Sequence, residues 1–464
     1  MASGRLILDR GKLMLLKSIM EQIPQELELS NMEFEGPLIV IYVRNRKALV
    51  KYPALAQSIA KKVRKRIVIR VSPDARLSPD EAKKIIIESS PREAGVDPDA
   101  IYFDEASGEV IVKAAKPGYI VGRGNVFRNM LLAETGWRVV PLRTTPFETK
   151  TLKEITHYLL KQSEYRLEFM RSLGERVHRD VVYKNNYVRV TALGGFKEVG
   201  RSSILVETRE SRILLDFGIN VGAFNDPSKA YPIIDILRVD ELDGVIATHA
   251  HLDHVGLIPL LYKYGYRGPV YVTKPTRELM AIMLKDLIEV SRRSSRYLPY
   301  GEKDLLTTLT HTITVDYDEV TDVAPDVKLT MYNAGHLLGS GIVHLHIGMG
   351  LYNVVYTGDF KYADSRLLSR ANTEFPRVEA LIMESTYGSS LQEPRPQAEA
   401  RLIDIVKRVS ERKGVTLIPV FAAGRGQEIL LVLNQAMSIV NKPMLAVLII
   451  AYQSIITVAL HLTS

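Results

Sequence analysis

The sequence predicts an α/β protein of several domains, and three observations support this prediction. The chain has 464 residues, which is too long for one ordinary domain, and 46% of them are hydrophobic. Strand-like and helix-like segments alternate along the first third. Further on, apolar strand-like runs end in histidine or aspartate, as expected where an open α/β sheet places polar side chains at the carboxyl ends of its strands.

The composition limits the classes of function. The formal net charge is +8 and the sequence pI is about 9.2, an excess that favours a polyanionic partner. The absence of cysteine excludes disulfides and zinc–thiolate sites, and it fits a reducing compartment or a hot habitat. No long apolar segment precedes a cleavage signal near the N-terminus, so we expect a cytoplasmic protein.

Residues 1–71 are interpreted as a small α/β module. An amphipathic helix is predicted up to about residue 23, and strand-like runs at 38–43 and 67–71 flank a helix predicted over 52–60. A basic run over residues 61–66 follows that helix. A nucleic-acid contact and a solvated helix face both explain this run.

Residues 72–145 are interpreted as a second module of the same kind. A helix over 79–90 precedes a hairpin of strands 101–104 and 109–114, and a closing strand follows at 137–142. Before the closing strand, a glycine-rich turn opens a helix over residues 126–135. This turn consists of Gly122, Arg123, Gly124 and Asn125. Such a turn presents backbone N–H groups and a positive helix dipole to phosphates.

Residues 146–182 are interpreted as a linker that forms one connecting helix over about 150–180. A hairpin over residues 187–203 then opens the next domain. The densest polar group in the chain comes after the apolar run 244–247, and it consists of His249, His251, Asp253 and His254. Neutral imidazoles suit zinc and a carboxylate supplies a hard oxygen, so this spacing can serve two divalent ions side by side. Surface or helix-capping side chains are the alternative interpretation.

Three further residues of ligand type end strand-like runs. Asp216 lies upstream of the cluster, and His336 and Asp359 lie downstream. Taken singly, an aspartate at a strand end is usually a turn or cap residue. Taken in order with the cluster, these residues form a pattern.

The order Asp, H-x-H-x-D-H, His, Asp resembles the metallo-β-lactamase fold, an αββα sandwich, over about residues 186–388. The resemblance implies two zinc ions with the ligands His249, His251, His336, Asp253, His254 and Asp359. In this scheme the first three histidines hold one ion, Asp253 and His254 hold the second, and Asp359 bridges both. Asp216 would orient ligands from behind. Two such ions can supply a hydroxide at neutral pH and hold a phosphate for in-line displacement.

Glu384 ends another apolar run, and residues 384–388 resemble the first motif of the β-CASP subfamily, which acts on nucleic acids. Residues 416–428 extend this resemblance into the β-CASP insert. The catalytic residues implied are Asp216, Asp253 and Glu384. The two N-terminal modules resemble KH domains, whose G-x-x-G loop clamps single-stranded nucleic acid. The candidate RNA-binding loop is therefore the turn from Gly122 to Asn125, with asparagine in its fourth position, whereas the first module has no such loop.

KH-like modules before a β-CASP nuclease make the chain similar to the archaeal homologues of the cleavage and polyadenylation specificity factor nuclease, a ribonuclease family linked to transcription termination. The resemblance implies zinc-dependent cleavage of single-stranded RNA in 3′-end processing and termination, by an endonuclease or also a 5′–3′ exonuclease. RNA polymerase and ribosome-associated machinery are the implied protein partners. A catalytically impaired RNA-binding fragment is the alternative, and a small-molecule hydrolase is disfavoured by residues 384–388 and by the KH-like modules.

The C-terminal end departs from the family. We place the metallo-β-lactamase domain at 183–385 and a partial β-CASP domain at 386–464, whose family pattern fades after Asn434. Residues 444–462 are almost wholly apolar and long enough to span a bilayer, but we interpret them as a truncated or frameshifted end. Two downstream family histidines and the family's dimer contacts are then missing, so we expect an incomplete second zinc site.

Overall fold

The computed structural model describes residues 10–144, 150–183, 187–224, 226–421, 423–440, 447–451 and 458–459. Strands within these ranges form five sheets. Two small sheets come first, two large sheets form a sandwich, and a fifth sheet lies near the C-terminal end. The predicted fold class, a metallo-β-lactamase sandwich preceded by two KH-like α/β modules, is confirmed.

The first module is a three-stranded sheet covered by helices. Its elements are α1 (Arg10–Met20), β1 (Leu29–Glu35), β2 (Leu38–Val43), α2 (Leu55–Val63) and β3 (Arg66–Val71). β2 pairs antiparallel with β1 and parallel with β3. Ile39 and Ile41 of the central strand pack against Ile19 and Ile59 of the two helices, because alternate strand residues point to the same face.

The second module repeats this order and pairing. Its elements are α3 (Pro79–Ser89), β4 (Val96–Asp104), β5 (Glu109–Ala114), α4 (Gly118–Val121), α5 (Val126–Thr135) and β6 (Arg138–Arg143). β5 pairs antiparallel with β4 and parallel with β6. In α5, Leu131 packs into the core of this module, while Ala133 packs into the core of the first module. The two modules are therefore joined through one helix.

The predicted connecting helix is two helices, α6 (Lys150–Lys161) and α7 (Ser163–Val177). The chain leaves helical geometry at Gln162, and this break lets α7 change direction and pack on the first module. There Gly174 lies so close to Phe34 that a Cβ atom would come within 2.4 Å of its carbonyl oxygen. Leu173 and Val177 enter the core of the sandwich, so the segment is packed along its length and is more than a linker.

The sandwich consists of a six-stranded and a five-stranded sheet. The strands of the first sheet are β7 (Arg189–Gly194), β8 (Ser203–Glu207), β9 (Arg212–Leu215), β10 (Gly244–Ile246), β11 (Val270–Thr273) and β12 (Thr312–Val315). The helices that accompany it are α8 (Pro227–Ala230), α9 (Leu252–Val255), α10 (Ile258–Lys263), α11 (Lys274–Arg293) and α12 (Glu302–Thr310). The strands of the second sheet are β13 (Thr321–Ala324), β14 (Val327–Asn333), β15 (Gly341–Ile347), β16 (Tyr352–Tyr356) and β17 (Ala380–Ile382).

Alternation along the strands of the first sheet produces two cores. In β8, Ile204 and Val206 face the second sheet, whereas Leu205 faces the helices. In β9, Ile213 and Leu215 likewise face the second sheet. The strands β8 to β11 are thus buried on both faces, which explains their nearly continuous apolar sequences, whereas the edge strand β7 is largely exposed.

Ion pairs attach the first module to the sandwich at β13. Lys65 Nζ lies 2.8 Å from Asp322 Oδ1, which Lys328 Nζ also contacts at 2.9 Å. Arg66 Nε lies 2.8 Å from a carboxylate oxygen of Glu319. Of the two interpretations of the basic run, neither holds for these two residues, because their charges are used in docking the module.

The C-terminal part begins a further α/β unit with α13 (Arg395–Glu411), β18 (Thr416–Val420), α14 (Arg425–Val440), β19 (Val447–Ala451) and β20 (Val458–Ala459). β18 and β19 pair parallel, and β20 pairs antiparallel with β19. Most of the apolar tail over 444–462 lies outside the described residues. In the part of the chain that is described, no helix has the length and hydropathy needed to cross a membrane.

Candidate metal centre

The candidate ligands meet at one edge of the sandwich because of the strand directions. β9 and β10 are parallel, so Asp216 and the cluster after β10 leave the first sheet at the same edge. β14 and β16 both pair antiparallel with β15, so His336 and Asp359 leave the second sheet together. Gly341 N donates to Thr248 O at 2.8 Å and joins the two edges.

Three histidines and one aspartate form the first group of potential ligands. His251 Nδ1 lies 3.0 Å from His249 Nε2 and 3.2 Å from His336 Nε2. Asp359 Oδ2 lies 3.8 Å from His249 Nε2 and 3.5 Å from His336 Nε2. One ligand atom from each of these side chains lies within 4.8 Å of all the others.

The second group shares Asp359 with the first. His254 Nε2 lies 3.3 Å from Asp359 Oδ1 and 3.8 Å from Asp253 Oδ2. Asp359 thus directs one carboxylate oxygen towards each group. The six predicted ligands are brought together in two adjacent groups joined by this carboxylate.

Asp216 lies beneath the cluster, fully buried and with a left-handed backbone (φ 55°). Its Oδ1 accepts a hydrogen bond from Thr248 N at 2.7 Å, and its Oδ2 accepts from Tyr356 OH at 2.9 Å. Oδ2 also lies 2.7 Å from His254 Nδ1. A carboxylate bonded to Nδ1 fixes the ring orientation and leaves Nε2 facing the second group.

Close approach of two backbones fixes the short helix α9, which bears Asp253. Residues 217–219 run beside residues 252–254, with Phe217 N donating to His254 O at 2.7 Å and Ile219 N donating to Leu252 O at 2.9 Å. A Cβ atom on Gly218 would lie only 1.7 Å from Asp253 O. Glycine is therefore required there, since it alone lacks a Cβ atom.

Burial controls the protonation of the first group. It lowers the pKa of His249 well below its usual value, and the neighbouring imidazoles lower it further. Burial likewise lowers the pKa of His336 to about 4. These imidazoles are neutral at physiological pH and have lone pairs free for a metal ion.

In the second group, the effect of neighbouring carboxylates on the pKa of the histidine outweighs the effect of burial. Burial lowers the pKa of His254, but the carboxylates of Asp216 and Asp253 outweigh it and raise the pKa well above its usual value. The pKa of Asp359 is lowered well below its usual range because its contact with His254 outweighs burial. A metal ion at Nε2 would replace the proton that His254 otherwise holds there.

The donor set fits a metal ion. A metal–nitrogen distance of about 2.0–2.1 Å in tetrahedral geometry places ligand atoms about 3.3 Å apart, close to the separations in the first group. An N–H on His251 Nδ1 can be donated to only one of its two neighbours at a time, whereas a cation between the three nitrogens would accept a lone pair from each. Imidazole and carboxylate donors without thiolate are compatible with several divalent ions, zinc among them.

Glu384 follows β17, the neighbour of the strand that leads to Asp359. Its backbone N–H donates to Thr357 Oγ1 at 3.3 Å, and its carboxylate accepts from Thr386 N at 3.0 Å. Among the described residues, neither metal-ligand group includes its carboxylate. Glu384 thus lies two residues after the end of β17, and its carboxylate is hydrogen-bonded within the turn that follows.

The candidate RNA-binding loop lies between α4 and α5, in the second module. Gly122, Gly124 and Asn125 have φ angles of 71°, 64° and 63°, and Arg123 is exposed. Asparagine tolerates this left-handed region better than other residues with a Cβ atom, which accounts for Asn125 in the fourth position. A Cβ atom on Gly122 would meet Phe127, so that position also requires glycine.

Sequence reasoning missed the side chains that support the ligands. Thr248 and Tyr356 hold Asp216 through their hydroxyl groups, and the Phe421 ring lies 6.0 Å from the His251 ring. Thr248 could have been noticed because it precedes the first histidine directly. No local pattern marks Tyr356 or Phe421, since each reaches the site only through the tertiary fold.

Comparisons with known proteins agree with this architecture. A family model described as the KH domain of transcription termination factor FttA matches residues 9–76, and one for the metallo-beta-lactamase superfamily domain matches residues 205–386. The chain is 45% identical over 423 residues to the protein named transcription termination factor FttA from Pyrococcus abyssi. The matched region covers 89% of this chain and 65% of that protein.

Two further relatives have the same name. The protein from Thermococcus kodakarensis is 44% identical over 426 residues, covering 90% of this chain and 65% of its own length. The protein from Methanothermobacter thermautotrophicus is 45% identical over 423 residues, covering 90% of this chain and 66% of its own length. The chain therefore spans about 65% of the length of these curated relatives.

Proposed function

The chain belongs to the family of KH-domain metallo-β-lactamase proteins that includes the archaeal transcription termination factors FttA, and from this premise we propose that it is a zinc-dependent ribonuclease. Its substrate is single-stranded RNA, cleaved during 3′-end processing and transcription termination. The observation that carries the proposal is the pair of ligand groups that share Asp359.

The proposed roles follow the contacts around the two groups. His249, His251 and His336 would hold one zinc ion, Asp253 and His254 would hold the second, and Asp359 would contribute to both. Zinc ions held there would supply an activated hydroxide and charge compensation for a phosphodiester. The buried Asp216 keeps the His254 ring in place through Nδ1 of that ring, while burial keeps the histidines of the first group neutral.

RNA as the substrate is supported by three features of the chain. The net charge of +8 favours a polyanion. The turn from Gly122 to Asn125 has three residues with positive φ and precedes a 10-residue helix, whose amino end favours a phosphate. The family model matched by residues 9–76 is a KH domain, a module that binds single-stranded nucleic acid.

The direct test is a His251→Ala variant. His251 Nδ1 lies at hydrogen-bond distance from two other ligand nitrogens, so its removal should abolish zinc binding in the first group and RNA cleavage together. The matched control is His157→Ala, which removes an exposed histidine of α6. Metal-dependent cleavage that persists in His251→Ala would refute the assignment.

An RNA-binding protein with impaired catalysis is the second candidate. It is favoured by the smaller second group, in which the described residues supply three ligands against four in the first. This candidate predicts RNA binding that survives removal of zinc, without cleavage. Measuring binding and cleavage on the same preparation, with and without chelator, separates the two functions.

A further inference from the structure

The first turn of α11 carries basic side chains where a helix favours acidic ones. This turn contains Lys274 and Arg277, and it has no acidic residue. The amino end of a helix carries a partial positive charge that repels cations. Helix formation therefore does not explain why two basic residues occupy this turn.

Both side chains lack adequate compensation for their charge. The Arg277 side chain is 24% exposed, and its one ion pair within the described residues is a 4.0 Å contact with the adjacent Glu278. Burial lowers the pKa of Arg277 and that of Lys274, so their surroundings disfavour the charged forms. Partly buried cations of this kind are stabilised by an anion.

A third cation, Arg166 of α7, lies at the end of α12, a helix that packs against α11. Its guanidinium donates to backbone carbonyls at the end of α12, at 3.1 and 3.3 Å. Burial and the charge of Arg277 together lower its pKa to about 10. Ser163, one turn before Arg166 on α7, donates through its hydroxyl group to Asp104 of β4. Glu109 of β5 also raises the pKa of both Arg166 and Lys274, so these cations lie on the side of the second module.

The same turn of α11 also adjoins the metal centre. The hydroxyl groups of Thr273 and Thr276 donate to Gly339 O at 2.6 and 2.9 Å. Gly339 follows His336 by three residues, so at most about 11 Å of extended chain separates them. The basic turn thus lies between the module with the candidate RNA-binding loop and the metal centre.

We propose that Lys274 and Arg277 form a subsite for the backbone phosphates of single-stranded RNA, between the second KH-like module and the metal centre. This proposal rests on the proposed function, because it takes RNA as the ligand. A phosphodiester supplies the negative charge that both cations lack and accepts hydrogen bonds from a guanidinium in a paired geometry. Phosphate contacts carry no base information, so the subsite holds the strand without selecting its sequence.

The experiment measures binding of a single-stranded RNA of mixed sequence by chelator-treated protein at several salt concentrations. Arg277→Gln should bind about tenfold more weakly, and its salt slope should fall by about 0.7, the value for one phosphate contact on a single strand. Arg293→Gln is the matched control, because it removes an exposed arginine from the other end of the same helix. It should bind like the wild type.

Lys274→Gln provides a second variant, and thermal unfolding shows whether each protein is folded. Wild-type affinity and salt slope in folded Arg277→Gln and Lys274→Gln would overturn the subsite. Failure of the proposed function has a different signature. Wild-type protein that binds RNA but never cleaves it would refute the nuclease, while weaker binding by the variants would still support the subsite.

Discussion

At the scale of single residues, one buried carboxylate organises the candidate metal centre. Asp216 contacts Thr248, His254 and Tyr356, and none of these contacts involves the reacting groups directly. Its position on a left-handed backbone between β9 and the loop at 217–219 leaves its side chain surrounded by polar partners. Asp216 is thus a positioning residue whose effect reaches the proposed second zinc through one imidazole.

Replacing Asp216 with asparagine should weaken zinc binding about tenfold to a hundredfold, as expected for the partner of a ligand histidine. The amide cannot accept as many hydrogen bonds, so His254 loses its fixed orientation. Zinc titration by calorimetry measures the change. Tyr356→Phe, which removes one of the donors, should cost about 1 kcal/mol of stability and leave zinc binding within a few-fold of wild type. Unaltered affinity in Asp216→Asn would contradict this role.

His178 gives a prediction about pH. It packs on the Phe34 ring, and burial lowers its pKa to about 4, with Lys65 adding to the effect and Asp322 opposing it. The unfolded chain takes up this proton near pH 6.5, whereas the folded chain does so near pH 4. The contribution to stability is therefore complete above about pH 6.5 and is lost as the pH falls towards 4.

A His178→Phe variant removes this titration and retains an aromatic ring. Urea unfolding at pH 7 and pH 5 should show a loss of stability on acidification that is about 1–2 kcal/mol smaller in the variant than in the wild type. The same loss in both proteins would show that His178 does not carry this dependence.

At the scale of elements, the sequence predicted those helices and strands whose bounds depend on residues close together in the chain. The helix over residues 126–135 has the predicted bounds, because a left-handed turn starts it and Gly136 ends it. The strands before the metal ligands were recognisable as apolar runs with a polar end. The break at Gln162 was not, since nothing in the sequence interrupts helix propensity there and packing against the first module decides it.

Loop packing gives the prediction at this scale. Gly218→Ala places a Cβ atom against Asp253 O, so we expect a loss of about 3 kcal/mol or more, together with weaker zinc binding. The control is Gly301→Ala, where a Cβ atom meets nothing within 4 Å and the stability should change by less than about 1 kcal/mol. Equal stability in the two variants, measured by urea unfolding, would show that the loops adjust.

At the scale of the whole molecule, ion pairs between distant parts of the chain hold the modules together. Lys65 and Asp322 are more than 250 residues apart, and the Asp322 side chain is 6% exposed. From the sequence, the basic run could be interpreted as a surface for nucleic acid or solvent, because its acidic partners lie in another domain. The contacts of Tyr356 and Phe421 could not be predicted for the same reason, because their partners lie far away in the sequence. The order of the candidate ligands along the chain was sufficient to predict the candidate site.

Lys65→Met should loosen the first module, because Lys328 is then the one ion-pair partner that Asp322 keeps among the described residues. We expect a loss of about 2 kcal/mol and faster amide exchange in β13. Lys62→Met changes an exposed residue of the same basic run and should leave both quantities unchanged. Identical exchange in the two variants would mean that the ion pair does not contribute to docking.

The central claim is a two-zinc centre that cleaves RNA, and native mass spectrometry of the zinc-loaded protein tests it most directly, with cleavage of an end-labelled single-stranded RNA measured on the same preparation. The account predicts two zinc ions per chain, cleavage that a chelator abolishes and zinc restores, and loss of both in His251→Ala. A protein that binds RNA with no zinc, or that binds two zinc ions and leaves the RNA intact, would contradict it.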